Sequence, residues 1–200
     1  VLQVALTEAL ADAGVRPDVI IGHSVGEVAA AWASGALSLD DAMTVFLSRS
    51  AHQEMTRHLG GMSAVLASEE TTNELIADFP GVEIAAINSP RSVTVSGPSD
   101  ALTAFAAGAR KRRVAVKRLP IDYPFHCSLL EPIKDDLLAS LAGLSPRAAE
   151  IPMVSTVTAE PVNGTELGAQ YWWQNAREAV RFAEAAAIAL ALRHAVDDGA

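Results

Sequence analysis

Cysteine occurs once in this 200-residue chain, at Cys127, so no internal disulfide can form. No cluster of Cys and His has zinc-binding spacing, and no structural metal is expected. There is no run of about eighteen uncharged apolar residues, which excludes an ordinary membrane-spanning helix. The opening residues VLQVALTEALADAGVRP carry no basic stretch followed by a cleavage site. A soluble, cytoplasmic protein without a membrane partner is expected. Basic residues are also scarce, 15 against 24 acidic, and the net charge of -9 argues against nucleic acid as the main partner.

The scarcity of positive charge has one local exception. Arg110, Lys111, Arg112, Arg113, Lys117 and Arg118 place six of the fifteen basic residues within nine positions. Such a cluster suits an acidic partner, and equally a solvated helix end and strand edge.

Half of the chain is apolar, enough to bury a core in one domain or in a core with a small inserted lobe. An amphipathic helix opens the chain, followed by a short buried strand at residues 18–21 and an Ala-rich helix from Glu27 that stops at Gly35. Ser38 and Asp41 form a capping arrangement for a long helix running to about Leu59. After Gly60-Gly61 the texture changes to short β-rich runs interrupted by two helical stretches, in the order β-α-β-β-α-β. That order predicts a ferredoxin-like lobe over 61–122. It is inserted into an α/β-hydrolase-like, parallel-sheet body formed by 1–60 and 123–200. An apolar-periodic helix from Leu129 to Leu141, a strand at 151–157 and a closing helix at 178–194 complete the body.

The sequence Gly22-His-Ser-Val-Gly26 lies between the first strand and the second helix, where a nucleophile elbow belongs. Flanking glycines permit the tight turn that exposes Ser24 Oγ, and the helix N-terminus with the Val25 N–H can stabilise an oxyanion. A serine nucleophile needs a base, and five histidines are available: His23, His52, His58, His126 and His194. His52 and His58 belong to the long helix and His194 lies near the far end. His23 adjoins the serine, but successive residues at a strand end point in different directions. His126, in Asp122-Tyr-Pro-Phe-His126-Cys, sits where the chain returns from the inserted lobe, and a loop residue there can face the cleft.

A series of further blocks follows in order: Gly22 to Glu27 with Val28-Ala-Ala-Ala31, Arg49 ahead of Gly60-Gly-Met62, Asn88-Ser-Pro90 with Val95-Ser-Gly97, Tyr123 to His126, Ser155-Thr-Val-Thr158, and Tyr171-Trp-Trp173. Together these resemble the malonyl-CoA:acyl carrier protein acyltransferase family, in the form embedded in modular polyketide synthases.

The resemblance implies an enzyme that loads a malonyl-type extender unit from coenzyme A onto the phosphopantetheine of an acyl carrier protein, without a bound cofactor. Neighbouring ketosynthase and other synthase domains are implied as partners. Ser24 becomes the acylated nucleophile and His126 the general base, oriented by a backbone carbonyl from the segment 155–158 instead of a carboxylate. Arg49 holds the free carboxylate of the malonyl group, a task suited to a planar, permanently charged guanidinium. His23, Asn88, Tyr123 and Phe125 border the substrate. Val25 and Phe125 go with malonyl, whereas Tyr123 begins its motif as methylmalonyl enzymes do and Pro124 departs from both. The basic cluster docks the carrier protein, and Cys127 is an inert thiol.

Family members begin earlier, with a Gly-Gln-Gly block, and continue into a Gly-Pro-His block after Asp198-Gly199. The chain is therefore expected to be a fragment lacking both ends. Two alternatives stay open: a serine hydrolase or thioesterase-like enzyme, which shares the elbow, and a non-catalytic scaffold module.

Overall fold

In the computed structural model, residues 2–197 are described; Val1 and residues 198–200, which the expected body includes, lie outside them. The chain opens with α1 (Leu2–Asp12), none of whose residues is buried. Strand β1 (Ile20–Ile21) leads into α2 (Gly26–Ala33). Gly35, at φ +83°, lets the chain leave that helix through the left-handed region. Ser38 Oγ then accepts from Asp41 N at 3.0 Å and caps α3 (Leu39–Glu54), as the sequence indicated. The helix stops short of Leu59. Beyond it the chain turns, with His58 at φ +67° and its N–H bonded to Asp122 O at 2.8 Å.

Between 61 and 118 the elements run β2 (Gly61–Val65), α4 (Glu69–Ile76), β3 (Glu83–Ser89), β4 (Ser92–Gly97), α5 (Ser99–Lys111) and β5 (Val116–Arg118). The four strands form one antiparallel sheet in the order β3-β4-β2-β5. Alternation along β2 and β4 turns Val65 and Val95 toward α4 and α5, where they pack with Leu75, Leu102 and Phe105.

The remaining elements build the second layer. A short 3₁₀ helix (Ser128–Ile133) precedes α6 (Lys134–Ser140), so the single helix expected over Leu129–Leu141 is divided. Pro132, with no N–H to give, sits at the join. Strand β6 (Met153–Val154) pairs in parallel with β1, and β7 (Pro161–Val162) returns antiparallel to β6. The sheet is thus mixed and not the parallel sheet expected. The cause is local: Ser155 Oγ accepts from Val157 N and Thr158 N, so 155–160 forms a tight turn instead of extending the strand. Helix α7 (Ala169–Arg177) contributes Tyr171, Trp172 and Trp173 to a core shared with Val28, Leu37, Val45, Leu130 and Leu137. Helix α8 (Phe182–Asp197) closes the described chain, later than the predicted start at Glu178.

The delay has a structural reason. Residues 178–181 run extended along the free edge of β3, where Val180 N donates to Ala85 O at 2.9 Å and Ile87 N to Val180 O at 2.8 Å. That edge would otherwise expose unpaired backbone groups. With Arg181 N bonded to Thr156 O at 2.7 Å, the segment joins the edge of β3 to the turn that follows β6.

Candidate active site

Ser24 occupies the tight turn between β1 and α2. Its φ is +53°, an unusual value for a non-glycine residue and one that costs energy. Close packing explains Gly22: a Cβ there would lie 2.4 Å from the backbone N of Glu27. Gly26 differs, since a Cβ there would meet only the Gln3 side chain at 3.7 Å. Of the two elbow glycines, one is required by sterics. The N–H groups of Gly26 and Glu27 turn back onto His23 O and Ser24 O, both at 2.9 Å. The Val25 N–H finds no acceptor among the described residues and is free at the start of α2.

His126 is the histidine brought to Ser24. Its Nε2 lies 2.7 Å from Ser24 Oγ across a sequence separation of 102 residues. It too sits at positive φ, +60°. The ring's Nδ1 donates to Glu178 O at 2.8 Å, which fixes the tautomer with Nε2 as the acceptor. The orienting carbonyl therefore comes from Glu178, not from 155–158 as expected. Thr156 is instead engaged by Glu27, and the extended pairing of 178–181 with β3 delivers the Glu178 carbonyl. Burial, reinforced by the Arg49 charge, pushes the imidazole pKa down to about 3. His126 is neutral at working pH and able to take a proton.

Arg49 lies within the same hydrogen-bonded group. It is 3 % exposed, and its Nη2 donates to Ser24 Oγ at 3.0 Å. Its Nη1 donates to Asn175 Oδ1 and its Nε to Gln53 Oε1 at 3.4 Å. Burial lowers the guanidinium pKa to about 10, which still leaves it charged. No carboxylate lies within ion-pair distance of it among the described residues.

Three residues that carry this site gain no role from the sequence, although Glu27 and Tyr171 fall within its motif blocks. Glu27 is fully buried, and burial raises its pKa against the opposing effect of its hydrogen bonds. Oε1 accepts from Thr156 N and Oγ1, and Oε2 from Tyr171 OH at 2.9 Å and Asn175 Nδ2 at 2.5 Å. Tyr171 and Asn175, four residues apart on α7, present one face to the elbow. Glu27 was visible as an acid on an otherwise apolar Ala-rich helix. Asn175 carried no signal, because an amide near a helix end is ordinarily solvated.

The other sequence candidates are distributed around this group. His23 Nε2 donates to Asn88 Oδ1 at 2.8 Å, and Asn88 Nδ2 to Thr94 Oγ1 at 3.1 Å, linking the elbow to β3 and β4. Tyr123 and Phe125 stack face to face, 5.2 Å between centroids, with the Tyr123 hydroxyl given to Glu54 at 2.5 Å. Cys127 is wholly buried, its thiol donating to Pro124 O at 3.3 Å, and burial raises its pKa.

The six residues of the basic cluster take different local roles. Arg112 pairs with Asp78 at 2.8 Å, and Arg113 sits in a turn at φ +60°. Lys111 ends α5, and Lys117 alternates with Arg118 along β5. Arg110 and Arg118 line a groove of about 440 Å³ floored by Ser63 and Leu102.

No group of three or more His, Cys, Asp or Glu side chains suited to a metal occurs among the described residues, and no helix there is long and apolar enough to cross a membrane.

Residues 1–197 match the acyl transferase domain family. The chain is 43 % identical over 197 residues to the polyketide synthase GfsB of Streptomyces halstedii, covering 95 % of this chain and 3 % of that protein. It is 38 % identical over 185 residues to the erythronolide synthase EryA2 of Saccharopolyspora erythraea, covering 92 % and 5 %. It thus spans a small fraction of these curated relatives. Among solved structures, the acyltransferase domain from module 8 of the salinomycin polyketide synthase superposes with a TM-score of 0.91 at 40 % identity, covering 93 % of this chain and 44 % of that one. The malonyl CoA-acyl carrier protein transacylase of Clostridium perfringens gives 0.84 at 28 %, covering 90 % and 59 %. An α/β fold of this type, a serine–histidine pair at an elbow and a match along nearly the whole chain agree: the chain belongs to the acyl transferase domain family, and its relatives are modular polyketide synthases.

Proposed function

We propose that the domain carries a malonyl-type acyl group from coenzyme A to the phosphopantetheine thiol of an acyl carrier protein, through an ester on Ser24. The observation that carries this reading is Arg49: a buried guanidinium with no carboxylate partner among the described residues, one hydrogen bond from the nucleophilic oxygen. A free carboxylate on the acyl group supplies the missing counter-charge and is held with its thioester carbon near Ser24 Oγ. A neutral ester hydrolase has no use for such a cation, and His126 is oriented by a carbonyl, not by the carboxylate of a hydrolase triad.

The geometry supports the following steps. Ser24 Oγ attacks the thioester carbonyl while its proton passes to His126 Nε2. The free Val25 N–H, at the positive end of α2, faces the oxyanion. The C–S bond breaks and His126 returns the proton to the departing coenzyme A thiolate. In the second half, the pantetheine thiol gives its proton to His126 and its sulfur attacks the Ser24 ester carbonyl; the bond from that carbon to Ser24 Oγ breaks as His126 returns the proton to Oγ. The protein itself binds no cofactor in this scheme. His23 and Asn88 brace the cleft wall, and Phe125, stacked on Tyr123, crowds an extra α-methyl and favours malonyl.

The same reading divides the chain into an α/β-hydrolase-like body, 1–60 and 123–200, and a ferredoxin-like lobe, 61–122, with the site between them. The carrier protein docks through the groove flanked by Arg110 and Arg118, and ketosynthase and other synthase domains adjoin the body in the cytoplasm.

Intact mass after mixing with malonyl-CoA tests the proposal. A malonyl adduct on the wild-type protein that is absent from Ser24→Ala is expected. Coenzyme A released without a carrier and without a lasting adduct would favour hydrolysis, and neither adduct nor release would favour a scaffold.

A further inference from the structure

Glu27 and Arg49 are both buried, oppositely charged and close, yet they do not touch. In an interior of low dielectric the default for such a pair is a direct ion pair. The carboxamide of Asn175 lies between them instead. Its Nδ2 donates to Glu27 Oε2 at 2.5 Å, and its Oδ1 accepts from Arg49 Nη1. Nδ2 also reaches Ser24 O at 3.3 Å, so the amide is fixed against the elbow as well.

The arrangement saturates one charge and leaves the other open. Both Glu27 oxygens already accept: Oε1 from Thr156 N, with the one Thr156 hydroxyl proton shared between it and Gly22 O, and Oε2 from Tyr171 OH and Asn175 Nδ2, which leaves the carboxylate little acceptor capacity to spare. Arg49 has five N–H donors, of which three are used, one each on Nε, Nη1 and Nη2; two remain, five less three. Gln53, which accepts from Arg49 Nε, has its own Nε2 buried without a partner among the described residues. Unused donors gathered around a buried cation point to an anion as the missing occupant.

We infer that Asn175 is a specificity-positioning residue: by standing between Glu27 and Arg49 it keeps the protein's own carboxylate off the guanidinium, so that a substrate carboxylate can take that place. The inference rests on the proposed malonyl-type reaction. A neutral amide suits the task because it can accept from the cation and donate to the carboxylate at once. An aspartate, nearly identical in shape, would neutralise Arg49 and compete with the substrate. An alanine would take the amide away from between the two charges and leave them free to approach each other.

The test compares wild type with Asn175→Asp in two measurements: the rates of Ser24 acylation by malonyl-CoA and by acetyl-CoA, and the affinity for free malonate by calorimetry. The malonyl rate should fall at least about tenfold more than the acetyl rate, with a matching loss of malonate affinity. Because the introduced carboxylate would face Glu27, the double variant Asn175→Asp/Glu27→Gln removes the like-charge contact and should show the same selective loss in a folded protein. Equal falls for both acyl groups with malonate affinity kept, in either variant, would make Asn175 a structural support only and overturn the inference. A wild-type protein that binds malonate yet never forms the acyl-serine removes the proposed reaction and leaves this inference to be decided by malonate affinity. One that does not bind malonate removes the inference itself.

Discussion

Arg49 Nη2 donates to Ser24 Oγ across 3.0 Å, so the cation assigned to a substrate carboxylate touches the nucleophile itself. The serine oxygen lies between this donor and His126 Nε2, 2.7 Å away on the other side. In the proposed reaction, a substrate carboxylate that draws on the guanidinium would therefore act on Ser24 Oγ as well as on the acyl group.

Replacing Arg49 separates these roles. Arg49→Ala is expected to lower malonyl-CoA kcat/KM by about 2–5 kcal/mol, the usual cost of removing one partner of a buried charge pair. Acetyl-CoA kcat/KM should fall much less. Arg49→Lys keeps charge without the planar fork and should fall between. Stopped-flow release of coenzyme A measures all three, and equal losses for both thioesters would remove the carboxylate role.

The low pKa of His126 predicts how stability responds to acid. The folded value, about 3, lies below the ordinary 6.5, so the unfolded chain binds the proton more readily. The stability due to keeping this ring neutral is fully present above pH 6.5 and is lost as pH falls from there toward 3. By pH 5 the loss is about 2 kcal/mol at 1.36 kcal/mol per pH unit below 6.5. Urea denaturation at pH 7 and pH 5 should show this loss in wild type, and His126→Gln should lack that part of it. Identical pH dependence in the two proteins would contradict the assignment.

The elbow glycines should behave differently. Gly22→Ala places a Cβ 2.4 Å from a backbone nitrogen and is expected to cost about 3 kcal/mol or more. Gly26→Ala meets only the Gln3 side chain, at an ordinary contact distance, in the first turn of α2 and should stabilise by about 0.5–1 kcal/mol. Thermal unfolding of the two variants distinguishes them, and similar shifts would mean that the turn relaxes around the Cβ added at Gly22.

Charge reversal at Arg110 and Arg118 should raise the carrier-protein KM about tenfold and flatten its dependence on salt, leaving the KM for malonyl-CoA in place. Arg112→Glu, which breaks the exposed pair with Asp78 away from the groove, should change the carrier KM little. An unchanged carrier KM in the first variant would remove the docking assignment.

What is local and periodic in this protein is legible in its residues alone. The strand-elbow-helix passage through Ser24, the Ser38 cap and the β-α-β-β-α-β order after Gly61 follow from glycine placement, capping chemistry and alternation, each confined to a few residues. Arg49 and His126 entered through their motif blocks. How they meet depends on the folded chain. The carbonyl that orients His126 is Glu178 because 178–181 gives up helix to cover the edge of β3, and a sheet edge so distant in sequence leaves no mark on local periodicity. Asn175 is the sharper case. Its place between Glu27 and Arg49, 148 and 126 residues distant, is a balance of buried charges that exists only once the chain has brought them together.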